Sequence, residues 1–264
     1  MRVGVITGTG TYALPELEET EPGEVTTRFG TARLTRGSAH GVEVVHLCRH
    51  GEAHPRLSNH VDHRANIAAL AELGVDAVLS VTVCGALDPR LGLGSLIVFE
   101  DLHFAANRLA DGTLCTFHTE PGAPGRGHWI FELPFAEELR SALVEGATEA
   151  GHPCRAEGCY GHVDGPRFNS RAEIRCLAAC GVTAVSQTAA PEAVLCGEAE
   201  IPYALLGYAT DYANGVHAEA TPVEELMRLI GRSSGVFATT LAAAIPRLAA
   251  AELAPTGVVY RFED

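Results

Sequence analysis

The segment CRHGEAH, residues 48–54, places an arginine next to a histidine directly after the apolar run VEVVHL. A guanidinium and an imidazole at the end of a buried strand can bind a phosphate group, because both present N–H donors to an anion. Three interpretations of Arg49 and His50 are open from this segment alone. The histidine could itself accept a phosphoryl group, the pair could hold free phosphate while another group reacts, or the pair could be a solvated strand end.

A glycine turn, GTGTYA at residues 8–13, follows the first apolar run and formally fits the Gly-x-Gly-x-x-Gly/Ala pattern of dinucleotide-binding folds. Such a fold would continue into a helix and a second strand followed by an acidic residue, whereas the next strand-like segment here is charged and irregular. The favoured interpretation is a turn whose backbone N–H groups and Thr9 hydroxyl face an anion.

Two further apolar runs end in small polar residues. Thr82 lies near the end of DAVLSVTVCGALDP, where its hydroxyl can point into the crevice at the carboxyl edge of an α/β sheet. Gln187 and Thr188 lie between a predicted strand and a helix that has Pro191 in its first turn. A helix start is a natural anion site, although Glu192 would oppose an anion placed too close to it.

Two other segments suggest a flat ligand and proton transfer. In GPRFNSRAE, Phe168 could stack on a flat ligand while Asn169 offers its amide to the ligand's edge, or Phe168 could belong to the core. In ATDYANG, Asp211 follows an otherwise apolar strand. It could be a turn or helix cap, or it could be a general acid, because partial burial raises the pKa of a carboxyl group.

Four histidines, at positions 50, 54, 60 and 63, lie close together in the sequence. Their spacing crosses a predicted loop and matches no zinc-binding pattern, so we expect no metal site.

The composition limits the classes of partner. The formal net charge is −14, from 19 Lys+Arg against 33 Asp+Glu, and such a chain repels nucleic-acid phosphates and anionic membrane surfaces. The N-terminus lacks the pattern of a signal peptide, and no apolar stretch reaches the ~18 residues that a membrane helix needs. The eight cysteines contain no Cys-x-x-Cys pair and indicate reduced thiols, so we expect a cytoplasmic protein.

Apolar runs alternate with helical patterns along the chain, which predicts an α/β protein. The predicted strands cover residues 2–7, 42–47, 77–83, 95–102, 159–163, 183–187 and 203–210. The predicted helices cover residues 62–73, 135–150, 170–180, 191–200 and 222–245.

Two of these helices carry start signals: Ser170 with Glu173 forms a capping box, and the run TPVE at 221–224 combines a cap, a first-turn proline and a returning carboxylate. Residues 105–127 predict a long irregular segment, and loops of that length are usually functional or mobile. The sequence contains no repeat or linker, which predicts a single domain over residues 1–264.

The order of these segments resembles that of methylthioadenosine phosphorylases within the purine nucleoside phosphorylase family. The resemblance covers about residues 3–230, and its most specific parts are GPRFNSRAE, TAAPEAVL and the downstream TDY. It implies one α/β domain around a mixed, partly barrel-like sheet flanked by helices, assembled as a homotrimer. It also implies cleavage of a purine N-glycosidic bond by inorganic phosphate as co-substrate, without metal or organic cofactor. A histidine phosphatase would carry Arg-His-Gly at its first strand and would leave the later motifs unexplained.

Carried over position by position, the resemblance implies a role for each site residue. Phosphate contacts fall on Thr9, Arg49, His50, Thr82 and Thr188, with backbone N–H help near Val83. Phe168 and Asn169 line the base pocket, Gln187 lies against the ribose, and the catalytic Asp211 faces the purine N7. His128 matches a histidine that such enzymes lend to the 5′ end of a neighbouring subunit's substrate.

Three positions depart from the family pattern. Gln187 replaces a methionine against the sugar, Ala213 replaces a second aspartate near the 6-amino group, and Asn169 replaces a small Ser or Thr. The first expected substrate is 5′-methylthioadenosine or another 5′-deoxy-5′-substituted adenosine. The alternatives are a phosphorylase for 6-oxopurine nucleosides such as inosine, guanosine or methylthioinosine, and a nucleoside-binding paralogue with little turnover.

Overall fold

A mixed sheet of eleven strands forms the centre of the computed structural model, which describes residues 1–14 and 17–262. The strands of this sheet are β1 (Arg2–Thr7), β2 (Glu18–Thr27), β3 (Gly30–Ala39), β4 (Val42–Cys48), β5 (Ala77–Ala86), β6 (Leu96–Val98), β7 (Asp101–His103), β9 (Cys154–Arg155), β10 (Cys159–His162), β11 (Val182–Ser186) and β12 (Tyr203–Tyr212). Two further strands, β8 (Gly127–Ile130) and β13 (Val258–Arg261), form a separate two-stranded sheet. The helices are α1 (His63–Glu72), α2 (Glu137–Glu149), α3 (Arg171–Ala179), α4 (Ala189–Glu198) and α5 (Val223–Leu248), with a 3₁₀ turn at Ser58–His60.

The central strand is β5, which pairs with β1, β11 and β12. The main path of the sheet runs β2-β3-β4-β1-β5-β11-β10-β7, while β12, β6 and β9 branch from β5. Strand β1 pairs parallel with β4 and with β5, and β5 pairs parallel with β12. The carboxyl ends of these four strands therefore lie at the same edge of the sheet. Strand β11 pairs antiparallel with the C-terminal end of β5, through only two pairs of residues. The C-terminal end of β11 therefore lies beside the middle of β5.

Helices cover both faces of this sheet. Helices α2 and α5 pack together on one face, in a core cluster that includes Leu143 and Phe237, and α1 and α4 pack on the other face around Ile67 and Leu195. Strand β5 is buried on both faces, as expected of a central strand with helices on both sides. The predicted fold class, a mixed α/β sheet flanked by helices, is confirmed.

Two predictions about single elements were wrong. The predicted strand 95–102 is two short strands, because β6 pairs with β12 whereas β7 pairs with β10. The predicted Thr221 cap does not form, since α5 begins after Pro222 without a side-chain cap and the Thr221 hydroxyl accepts a bond from the Tyr212 N–H instead. The capping box of Ser170 and Glu173 is confirmed.

The segment predicted to be irregular, residues 105–127, contains turns and one isolated bridge before β8 begins. Its backbone carbonyls at Leu114 and Thr116 accept bonds from Arg64 of α1, and the Phe117 N–H donates to Glu198 of α4. The segment is therefore anchored against the two helices on one face of the sheet.

In the part of the chain that the structure describes, no helix is long and apolar enough to cross a membrane.

Candidate active site

One cavity opens where the parallel strands β1, β4, β5 and β12 end. All of the site residues predicted from the sequence line it except His128: Thr9, Arg49, His50, Thr82, Val83, Phe168, Asn169, Gln187, Thr188 and Asp211. The strand ends supply the residues predicted to contact phosphate, and the turn before α3 supplies Phe168 and Asn169, which are predicted to contact the base. We name these two parts of the cavity the phosphate side and the base side after those predicted roles. The structure thus brings distant segments to one place, while the roles of these residues remain predictions.

Four hydrogen bonds hold the Arg49 guanidinium in the cavity wall. Its Nε donates to Glu192 Oε1 at 2.6 Å and its Nη2 donates to Glu192 Oε2 at 3.1 Å and to Ser80 Oγ at 2.7 Å. Its Nη1 donates to the carbonyl of Val81 at 2.9 Å. Arg49 and Glu192 are only 2% and 1% exposed, so this is a buried ion pair.

The ion pair sets the charge of the phosphate side. Burial lowers the pKa of Arg49, but the Glu192 carboxylate more than compensates and leaves that pKa raised. Glu192 also accepts bonds from Ser80 Oγ at 2.8 Å and from Tyr203 Oη at 3.2 Å, so both of its oxygens are held. Arg49 is therefore a charged donor whose charge is already offset within the protein.

His50 is a neutral group in this arrangement. Its Nδ1 lies 2.8 Å from the carbonyl oxygen of Arg56, and because a carbonyl can only accept, Nδ1 carries the proton. Burial, together with the charge of Arg49, lowers the pKa of His50 to about 3. The ring stacks on His54 with centroids 4.1 Å apart. The remaining nitrogen, Nε2, is an acceptor, which suits the protonated oxygen of a phosphate.

Neutral hydroxyl groups complete the phosphate side. Thr82 Oγ1 lies 2.8 Å from Ser186 Oγ, which links β5 to the end of β11, and Thr188 is buried at the start of α4. Gly8 has no room for a side chain, because a Cβ there would collide with the Arg49 guanidinium. The backbone turn beside Thr9 can therefore approach Arg49 closely, as an anion site at such a turn requires.

Asp211 owes its position to a bulge in β12. The register with β5 shifts between Ala209 and Asp211, so that Thr210 is an extra residue and Asp211 lies opposite Gly85. An added Cβ on Gly85 would lie 3.2 Å from Asp211 Oδ2. Burial raises the pKa of Asp211, and the Thr210 hydroxyl, which donates to Oδ1 at 3.0 Å, partly opposes that rise. The carboxyl group can therefore keep a proton at a higher pH than a free aspartate.

The base side of the cavity is open and aromatic. Phe168 is 62% exposed, which excludes the interpretation that it belongs to the core. The side-chain nitrogen of Asn214 donates to the Asn169 carbonyl at 2.7 Å and so ties the loop after β12 to the turn before α3. Ala213 is buried in a small apolar cluster beneath these residues.

Gln187 is held at both ends of its amide. Its Oε1 accepts a bond from Ser58 Oγ at 2.9 Å, and its Nε2 donates to the carbonyl of Arg167 at 3.2 Å. Ser58 belongs to the 3₁₀ turn after the Arg49–His50 segment and also lines the cavity. Sequence reasoning missed Ser58, Ser186 and Asn214, because each of them bonds to a partner from a distant segment.

His128 lies away from the cavity of its own chain. It is an exposed residue of β8, which forms a two-stranded ribbon with β13, and its ring contacts Phe262 with centroids 5.5 Å apart. The predicted contribution to a neighbouring subunit's substrate remains a prediction. Within residues 1–14 and 17–262, no group of three or more His, Cys, Asp or Glu side chains could hold a metal ion.

Residues 2–246 match the sequence profile of the phosphorylase superfamily, and the chain belongs to that family. A probable 6-oxopurine nucleoside phosphorylase of Thermococcus kodakarensis is 34% identical over 249 residues, which are 92% of this chain and 91% of that one. An S-methyl-5′-thioadenosine phosphorylase of Danio rerio is 30% identical over 252 residues, covering 94% and 89% of the two chains.

The fold agrees with this membership. A methylthioadenosine phosphorylase from Schistosoma mansoni, solved in complex with adenine, superposes with a TM-score of 0.86 at 28% identity and covers 96% of this chain and 93% of that one. The resemblance stated from the sequence motifs is confirmed, and so is the expectation of a phosphorylase-class enzyme.

Proposed function

We propose that this protein cleaves the N-glycosidic bond of a purine nucleoside with inorganic phosphate, giving free base and sugar 1-phosphate. The observation that carries the proposal is that one cavity contains both hydrogen-bond donors for an anion and a carboxyl group that can hold a proton. Donors suited to an anion come from the ends of β1, β4 and β5, and a carboxyl group with a raised pKa comes from β12.

The charges of the cavity suit this reaction. Breaking the bond leaves positive charge on the sugar, and a phosphate fixed beside C1′ stabilises that charge before it forms the new bond. Because Glu192 already offsets the charge of Arg49, a bound phosphate keeps its negative charge for the sugar. Arg49 and the threonine hydroxyls then serve to orient the anion.

Asp211 provides the other half of the chemistry. A purine leaves as an anion unless N7 is protonated or accepts a hydrogen bond, and a protonated carboxyl group can supply that proton. The raised pKa of Asp211 favours this protonated form. Phe168, which is exposed into the cavity, offers a flat surface on which the purine can stack.

The first-choice substrate is 5′-methylthioadenosine or another 5′-deoxy-5′-substituted adenosine. Leu226 and Ile230 of α5 give the cavity an apolar wall, which favours a thioether over a hydroxyl group. A 6-oxopurine nucleoside is the second candidate, because Ala213 offers no acceptor to a 6-amino group and several similar proteins are named for 6-oxopurine or methylthioinosine substrates.

A panel of nucleosides tests the proposal directly. Purified protein is expected to release base from 5′-methylthioadenosine, adenosine, inosine or methylthioinosine only when phosphate is present, with sugar 1-phosphate formed in equal amount. Base release is followed by absorbance with and without phosphate. Release without phosphate would indicate a hydrolase, and binding without release would indicate a nucleoside-binding paralogue.

We also propose that the enzyme is a cytoplasmic homotrimer that uses neither metal nor organic cofactor and binds neither nucleic acid nor membrane. The β8–β13 ribbon carries exposed apolar side chains, at Ile130, Val258, Tyr260 and Phe262, and such a patch is typical of a protein interface. His128 lies on the same ribbon, so a neighbouring copy could bring it to a substrate. The eight free cysteines fit a reducing compartment.

Light scattering is expected to give about three times the chain mass of 27.8 kDa. Tyr260→Glu should shift the protein toward the monomer, because it places a charge in the apolar ribbon. Leu114→Glu is the matched control, since Leu114 is exposed to a similar extent but lies outside the ribbon. A monomeric wild-type protein would contradict the assembly proposed here.

A further inference from the structure

Ser58 and Gln187 form a polar pair between the phosphate side and the base side of the cavity. Gln187 directly precedes Thr188 of the phosphate side, and its amide nitrogen donates to the carbonyl of Arg167, the residue before Phe168. In a nucleoside that is attacked by phosphate, the sugar lies between the phosphate and the base. The pair therefore lies where the proposed reaction requires the sugar.

The orientation of the Gln187 amide is fixed by its partners. A backbone carbonyl can only accept, so the amide nitrogen must face Arg167 and the amide oxygen must face the Ser58 hydroxyl. Gly165 lies directly against both groups, and a Cβ at that position would collide with Gln187 Oε1 and with Ser58 Oγ. The amide is thus packed against the glycine backbone and cannot turn over freely.

This arrangement leaves defined hydrogen-bonding capacity. Gln187 has one N–H and one oxygen lone pair still available, and Ser58 has the lone pairs of a hydroxyl whose proton is already donated. The nearby Arg167 guanidinium donates two hydrogen bonds to the Glu173 carboxylate, at 2.7 and 2.9 Å, so its charge is already paired. The Ser58–Gln187 pair itself is uncharged. A neutral donor beside neutral acceptors matches two adjacent hydroxyl groups rather than an anion.

We propose that Ser58 and Gln187 together bind the vicinal 2′- and 3′-hydroxyl groups of the substrate and make the enzyme selective for ribonucleosides over deoxynucleosides. One sugar hydroxyl donates to the Ser58 and Gln187 oxygens, and the other accepts from the Gln187 N–H. The inference rests on the proposed nucleoside phosphorylase function, since it takes the sugar to lie between phosphate and base.

The test compares inosine and 5′-methylthioadenosine with their 2′-deoxy and 3′-deoxy counterparts. Gln187→Met keeps the length of the side chain and removes its hydrogen bonds, so kcat/KM for the ribonucleosides should fall at least about tenfold. The loss for the deoxynucleosides should be smaller, because each of them keeps only one of the two hydroxyl groups that Gln187 binds. Ser58→Ala should also lower the ratio of kcat/KM for ribonucleosides to kcat/KM for deoxynucleosides, but by a smaller factor. Asn59→Ala is the matched control on the same 3₁₀ turn, because Asn59 is exposed and outside the cavity.

Equal losses on ribo- and deoxynucleosides in both Gln187→Met and Ser58→Ala would overturn the proposal, because that result describes a purely structural pair. A wild-type enzyme that uses both sugars equally would also overturn it. If the wild type turns over none of these nucleosides, the proposed function fails, and calorimetric dissociation constants for the same ligands decide the diol site. If the wild type binds ribonucleosides more tightly than deoxynucleosides and Gln187→Met removes that difference, the diol site is supported. If the wild type shows no such difference, the diol site is refuted.

Discussion

Replacing Arg49 by methionine is expected to raise the KM for phosphate about a hundredfold or more and to lower the free energy of unfolding by about 3–5 kcal/mol. The kinetic loss follows because the cavity loses its guanidinium donor. The loss of stability follows because the Glu192 carboxylate, 1% exposed, remains buried without its cation. Phosphate saturation curves and denaturant unfolding measure the two effects separately.

The double variant Arg49→Met/Glu192→Gln separates catalysis from folding. It leaves no unpaired buried charge, so most of the lost stability should return, while the KM for phosphate should stay raised. Nucleoside affinity measured without phosphate should be close to that of the wild type in this variant. Recovery of the phosphate KM together with stability would show that Arg49 only supports the fold.

Replacing Asp211 by asparagine is expected to lower kcat/KM for adenine nucleosides by about 10²–10⁴, with a far smaller loss for 6-oxopurine nucleosides. An asparagine cannot give a proton to N7 of adenine, but its amide can donate to a 6-oxo group. Since burial raises the pKa of Asp211, the wild-type rate on adenine nucleosides should fall as pH rises through that raised pKa. The variant should lack this limb of the pH profile.

Thr210→Val provides the control for the Asp211 prediction. Its hydroxyl donates to Asp211 Oδ1 and opposes the rise in pKa, so its removal should extend the active limb toward higher pH and leave the carboxyl group in place. Equal losses of adenine and 6-oxopurine activity in Asp211→Asn would contradict the assigned contact with N7.

The sequence predicts the central sheet well because its strands are long apolar runs. It misses the β2–β3 hairpin, whose strand EETEPGEVTT buries only its last residue, so charge hides the strand pattern. It also misses β8 and β13, since these short strands pair with each other across more than a hundred residues. Strands that depend on a distant partner leave little local signal.

The sequence likewise predicts some residues of the candidate site and misses others. Motif order locates ten of the residues that line the cavity, because most of them lie near the end of a recognisable strand, while Phe168 and Asn169 directly precede a helix with a recognisable capping box. The partner of Arg49 cannot be predicted locally: Glu192 is 143 positions away, and the sequence indicates only that it would oppose an anion. Leu226 and Ile230 are missed as lining residues because their helix follows the last recognisable motif.

The bond between Asn214 and the Asn169 carbonyl lies on surface loops, whereas Arg49 and Glu192 are locked inside the protein. Changes among the loop residues cost little stability, while a change in the buried pair endangers the whole molecule. Nucleobase preference can therefore drift through evolution while the handling of the nucleophile stays constant. The similar proteins are named for 6-oxopurine nucleosides, for S-methyl-5′-thioadenosine and for S-methyl-5′-thioinosine.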